Sequence, residues 1–297
     1  MAKQLTRARR RNIVGYAFLM PFLVLFFTFV ILPVISSFVL SLTNYNLLQT
    51  PKFVGMNNYK LLLLDDDVFL TAIKNTFIFA VIAGPAGFIA SFFFAAVITN
   101  LKFRGFFSLA FYAPSLCSAV AISSIWLFFF SPNRDGLINS ILIDMGLTDK
   151  QILWTSDPHY IMIVIVIISV WMSMGNGFLV FLAGLQNLSA EVYEAARIDG
   201  MRSKLQEMVY ITLPMMKPQL LFGSITAIVG AFGVYDIAVS VAGLPSPEYA
   251  GHTIVTHLYD YAFIRLQMGY ASAVAVILFI ITFLLGRICT KVFGSND

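Results

Sequence analysis

Residues 189–214 read "SAEVYEAARIDGMRSKLQEMVYITLP", and two strongly apolar runs enclose them: "IMIVIVIISVW" (161–171) and "LLFGSITAIVGAF" (220–232). The flanks suit hydrocarbon; the enclosed stretch does not. A turn between two membrane helices needs only a few residues, whereas this one takes about thirty, which argues for a docking surface. Locally the stretch reads as helix, turn, helix. Ser189 suits an N-cap, with Glu191 in the first turn beside unpaired amides. The adjacent Ala195 and Ala196 permit close approach by another surface. Gly200 fits a left-handed C-cap. A second helix is expected over about Ser203–Ile211, with Pro214 ending or kinking it.

Outside this stretch the chain is built for lipid. Of its 297 residues 59% are apolar and 11% charged, with mean hydropathy +0.84. A soluble domain carries about 25% charge, so water cannot be the main solvent here. No polar stretch exceeds about 30 residues, too short for a separate core.

Crossing a bilayer takes about 20 helical residues. Six runs qualify: 13–41, 70–99, 107–130, 159–185, 216–243 and 269–292. The expected fold is an all-α polytopic membrane protein with six transmembrane helices in a single domain, residues 13–292. Tails 1–12 and 293–297 flank it, and the polar loop occupies about 186–217. Pro21 and Pro33 can kink the first span without breaking it. The basic start, "KQLTRARRRN", precedes an apolar run too long for a signal peptide, so an uncleaved first span is expected.

Lys and Arg set the orientation. Thirteen of the nineteen fall on one side of a six-span chain, among them Lys3, Arg7, Lys102, Arg104, Arg197, Arg202, Lys204, Lys217, Arg287 and Lys291. The positive-inside rule then places both termini and the 189–214 stretch in the cytoplasm. Net charge is +4, and topology accounts for it better than nucleic-acid binding. Cys117 and Cys289 lie in apolar runs and suggest no disulfide framework.

The 189–214 stretch resembles the EAA loop of ABC-importer permeases. That pattern runs Glu-Ala-Ala, three residues, Gly, then Ile-x-Leu-Pro, and this chain supplies Glu194, Ala195, Ala196, Gly200, Ile211, Leu213 and Pro214. Ten residues separate Gly200 from Ile211 where the usual pattern has nine, so a register shift is expected in the second half. Further segments resemble maltose-like carbohydrate permeases in order along the chain, including "FVGMNNYKLLL", "FSPNRDGLINSIL", "WTSDPHYIM" and "MGYASAVAVILF".

The resemblance implies a transport subunit rather than an enzyme, and the sequence contains no G-x-x-x-x-G-K-[ST] P-loop. It also implies a second homologous permease, two ABC ATPases that bind ATP and Mg, and an external solute-binding protein, with no cofactor on this chain. Within the family the Glu of the pattern pairs with a basic residue on the ATPase and the Gly permits the turn. Those roles fall on Glu194 and Gly200.

A carbohydrate path needs hydroxyl partners and aromatic faces inside the bundle. Ser115, Ser118, Trp171, Ser173, Asn176, Phe232, Tyr235 and Asp236 are the candidates, and Asp236 stands out because an intramembrane carboxylate is costly. His252, His257 and Asp260 are expected on the outer rim, where the binding protein sits, rather than around a metal. Asp65–Asp67 are expected as a solvated turn. The alternatives are a glycerol-phosphate-type or other solute for the same permease class, an ion-coupled secondary transporter, and a non-transporting membrane scaffold.

Overall fold

The structure, a computed structural model, describes residues 2–293, and helices dominate it. Five helical segments are long and apolar enough to cross a bilayer: Ile13–Leu40, Asp67–Thr99, Pro158–Gln186, Lys217–Ala242 and Met268–Val292. They coincide closely with five of the predicted runs. The exception is the third, 107–130. There Arg104–Leu116 and Val120–Phe129 meet at 102°, so the pair crosses only as a broken span. The cause is local. Pro114 sits in the last turn of the first helix, Cys117 is extended (ψ 152°), and Ser118 begins a new helix by accepting the Ala121 amide.

Two other prolines are absorbed without a break. The π turns Phe27–Ile31 and Met208–Thr212 each end two residues before a proline, Pro33 and Pro214. A proline has no N–H, and its ring presses on the carbonyl four residues back; a widened turn relieves both. Accordingly the Leu32 and Leu213 amides reach five residues back, to Phe27 and Met208.

The second span (Asp67–Thr99) is the centre of the bundle. From Phe69 to Ile98 its buried residues recur every three or four positions, so one helical face meets the fourth and fifth spans. Lipid tails are as apolar as leucine, and close van der Waals packing must hold such helices together. Small residues provide it. A Cβ on Gly87 would collide with Ser173, and one on Gly223 with the Phe181 ring. A two-residue β pairing, Thr43–Asn44 with Lys52–Phe53, seats its backbone against Gly269 at the start of the sixth span. The predicted tail 293–297 lies outside the described residues except for Phe293.

Candidate functional site

The helical pair predicted after the fourth span is present. Ser189 Oγ accepts the Glu191 amide at 3.3 Å and opens helix Ala190–Ile198. At its end Met201 N–H reaches Ala196 O (3.0 Å) and Gly200 N–H reaches Arg197 O (3.2 Å), with Gly200 at φ +96°. This is a Schellman closure, which requires a left-handed residue at Gly200. A Cβ at Gly200 would meet no neighbour. The backbone, not space, demands glycine there.

Ser203 opens the second helix through a capping box: it accepts the Leu205 amide at 3.2 Å, while Gln206 Oε1 accepts the Ser203 amide at 3.3 Å. The helix does not stop at Ile211, as expected, but runs from Lys204 through the Met208–Thr212 π turn to Met215. A π turn closes over one residue more than an α turn. That equals the excess over the family spacing, and Ile211 still turns into the bundle, 8% exposed.

Two side-chain contacts pin the helices together. Arg197 Nε donates to Glu207 Oε1 at 2.8 Å, and the Tyr193 and Thr212 hydroxyls lie 2.8 Å apart. The Arg197 hydrogen bond holds the Glu207 carboxyl below the usual glutamate range. Glu194, Ala195 and Pro214 are exposed, while Ala196 and Leu213 are half-buried. The apolar side chains of Ile198 (86% exposed), Leu205 (72%) and Tyr210 (70%) project outward.

Within the bundle a cavity of about 370 Å³ opens between the second, fourth and fifth spans. Phe79, Gly87 and Ser91 line it from the second span, Ser169, Ser173 and Gly177 from the fourth, and Thr226, Gly230, Tyr235 and Asp236 from the fifth. The fifth span breaks at Gly233–Tyr235 and resumes as Asp236–Ala242, which brings Tyr235 and Asp236 to the cavity wall. Ser91 Oγ donates to Ser173 O at 3.2 Å, and Ser173 Oγ to Val170 O at 2.7 Å.

Of the predicted path residues, Ser173, Tyr235 and Asp236 line this cavity. The others are placed differently. Phe232 faces an adjoining apolar groove, edge-on to Phe77. Trp171 packs on Trp126, their rings 5.5 Å apart. Ser115 donates to Tyr112 O and lies against Gly175, and Ser118 is spent as a helix cap. Among the described residues, the third span therefore supplies none of the lining. The side chain of Asn176 lies outside the described residues.

Residues 83–293 match the family of binding-protein-dependent transport system inner membrane components. The chain belongs to this family. A probable ABC transporter permease of Bacillus subtilis, YesP, is 32% identical over 95% of this chain and 91% of its own. The arabinooligosaccharides transport system permease AraP of the same organism is 32% identical over 94% and 88%, and the lactose transport system permease LacF of Rhizobium radiobacter 31% over 91% and 90%. A bacterial ABC transporter involved in alginate import has a chain that superposes with TM-score 0.81 at 21% identity, over 98% of each chain. That likeness bears on the fold. The permease is thus a multi-pass membrane component of a binding-protein-dependent transport system.

On the permease's other face the expected outer rim is buried. His252 and His257 are 2% and 1% exposed, and His252 Nε2 lies 3.3 Å from His257 Nδ1. His257 Nε2 in turn lies 3.3 Å from Asp66 Oδ2. Asp66 is no solvated turn residue: it caps the second span through the Phe69 amide (2.8 Å) and accepts the hydroxyls of Tyr261 and Tyr270. Burial would raise the Asp66 carboxyl, but these hydrogen bonds and the nearby His257 outweigh it and hold it below the usual range. Burial pushes His252 down to about 4, aided by His257, and lowers His257 against the pull of Asp66. Among the described residues no three His, Cys, Asp or Glu side chains gather as metal ligands.

The lining of the permease's second span escaped sequence reading. The sequence does carry a signal, since Gly84, Gly87 and Ser91 in "AGPAGFIAS" share one helical face at three- and four-residue steps.

Proposed function

We propose that this permease is one half of the translocation path of an ABC importer for a sugar or oligosaccharide, and that its 189–214 knob receives the motion of a partner ATPase. One observation carries the reading. A doubly capped, cross-pinned helix pair presents exposed Ile198, Leu205, Tyr210 and Glu194 beyond the bundle, on a chain whose sequence has no P-loop. The sugar assignment draws on relatives named for arabinooligosaccharides and lactose, and on a cavity lined by hydroxyls and the rings of Phe79, Phe88, Phe181 and Tyr235, without Lys or Arg.

In this reading the bent pair near Cys117 acts as one span, both termini and the knob face the cytoplasm, and the protein sits in a bacterial-type cytoplasmic membrane. A second permease chain completes the path, two ATPases hold ATP and Mg, and a solute-binding protein docks outside. Glu194 meets a basic residue of the ATPase, Ala195 and Ala196 allow close approach, and Leu213 and Pro214 join the knob to the fifth span.

The test is Glu194→Lys in the assembled importer. Insertion and protein level should be normal, and solute-stimulated ATP hydrolysis should no longer drive uptake. Normal uptake would sink the coupling role. Stimulation by a glycerol phosphate but by no saccharide would reassign the solute.

A further inference from the structure

Six glycines line the cavity, and four of them, Gly87, Gly177, Gly223 and Gly233, are crowded by a neighbour within the chain. A Cβ on Gly87 would strike Ser173, one on Gly223 would come within 2.6 Å of the Phe181 ring, and one on Gly177 would press Ser91 Oγ at 3.2 Å. Gly84 would meet Ala231 at 3.8 Å and Gly233 the Val229 carbonyl at 3.1 Å. Gly230 differs. Nothing lies within 4 Å of the position its Cβ would take.

Gly230 sits inside the regular helix Lys217–Phe232, and it is not among the glycines with positive φ. Alanine forms such a helix more readily than glycine. Both space and helix propensity therefore favour a side chain where the chain has none. Gly15, Gly105 and Gly286 are equally open, but of these four only Gly230 lines the cavity, so what can approach its bare backbone is whatever enters there. The same cavity holds a second unmet requirement: the buried hydroxyl oxygen of Ser169 has no hydrogen-bond partner among the described residues. A buried hydroxyl left unpaired is unfavourable, and a turn about its Cα–Cβ bond toward the cavity would bring it to a hydroxyl-bearing solute.

We propose that Gly230 is the size-determining contact of the solute path: the solute passes against its bare backbone while Ser169 offers it a hydrogen bond. This rests on the reading of the cavity as half of an importer's path. It extends that reading by naming a residue whose side-chain volume limits what is carried. A bulky residue at 230 would fill the passage without touching the packing between spans.

The first experiment does not depend on the solute. Gly230→Cys, on a Cys117→Ala, Cys289→Ala background in the assembled importer, is treated with a charged, water-soluble methanethiosulfonate. Reaction in the folded complex is expected, since the position faces the path. Reaction only after unfolding overturns the proposal. The second experiment measures uptake of arabinotriose and lactose by Gly230→Ala, Gly230→Val and Gly230→Phe. Alanine should keep uptake near that of the unmodified importer, and phenylalanine should lower it by about tenfold or more, with the trisaccharide lost first. Ser169→Ala should weaken uptake of both sugars without that size order.

Full uptake by Gly230→Phe overturns the assignment. So does loss of the partner permease on co-purification, which would place Gly230 in a contact between chains. If the unmodified importer carries neither saccharide, the sugar reading fails, and the thiol reaction still decides whether Gly230 lines the path.

Discussion

Two of the polar segments between the spans of this chain use their side chains in opposite ways. The 189–214 knob turns outward, with Ile198, Leu205 and Tyr210 mostly exposed, and its internal bonds are local. The 243–267 segment turns inward. His252, Thr253, Thr256 and His257 are buried, and the segment ties three spans together: Ile254 N–H reaches Thr76 Oγ1, Thr253 Oγ1 reaches Val234 O, and Asp66 gathers Tyr261 and Tyr270. A segment that spends its polar groups on its own chain fastens it. Under the proposed coupling role, the apolar groups left exposed on the knob are a surface for a second chain.

The sharpest way to break that contrast is Asp66→Ala. It removes the cap of the second span, two tyrosine hydroxyl partners and the anion beside His257. With a cap contributing about 1 kcal/mol and each stranded partner about 1 more, the loss should reach about 3 kcal/mol. Thermal unfolding of the detergent-solubilised importer would show it as a lowered Tm. An unchanged Tm would mean that the 243–267 segment fastens nothing.

Next comes Gly200→Leu, in the knob. Holding a leucine at φ +96° strains the backbone by about 1–2 kcal/mol and disfavours the Schellman closure. The strain falls at an exposed tip, so uptake should drop by about tenfold or more while Tm hardly moves. Equal losses of Tm and uptake would erase the distinction between the two segments.

How far the sequence discloses each segment follows from the range of its interactions. The knob is legible because caps, the Schellman glycine and the widened turn before Pro214 depend on residues within a few positions. The other five spans are legible because hydropathy averages over a window. The Asp66 cluster is not, since Asp66 and Tyr270 stand 204 positions apart, and no local rule says that a run of three aspartates supplies one half-buried acceptor. The third span fails for a third reason: a window average smooths over Pro114 and Ser118, the two local residues that end one helix and cap the next. The cavity wall on the second span lies between these cases. Its small residues share a face, but whether they meet a helix or a solute depends on what stands opposite.

A milder test uses acid. His252 and His257 are neutral in the folded protein because burial lowers both, His252 to about 4. The unfolded chain takes up their protons below about pH 6.5, so it gains stability as pH falls from there toward about 4. Asp66, also lowered, acts in the same direction at still lower pH. Tm should therefore be level above pH 6.5 and decline below it, and His252→Gln should flatten part of the decline. A Tm that rises on acidification would contradict the buried neutral pair.

The smallest effect is expected where the contact looks strongest. Arg197–Glu207, at 2.8 Å, is a salt bridge on the knob, but the arginine is 60% exposed. Water screens such a pair, and holding two long side chains in one geometry offsets most of the attraction. The two helix caps and the Tyr193–Thr212 hydrogen bond, with Thr212 buried, remain when it is cut. Arg197→Met should therefore leave both Tm and uptake unchanged, whereas Tyr193→Phe, which takes a partner from the buried Thr212, should lower uptake measurably. If Arg197→Met uncouples transport at unchanged Tm, the guanidinium is serving a neighbouring chain rather than Glu207, and the outward reach of the knob extends from its apolar side chains to its charged ones.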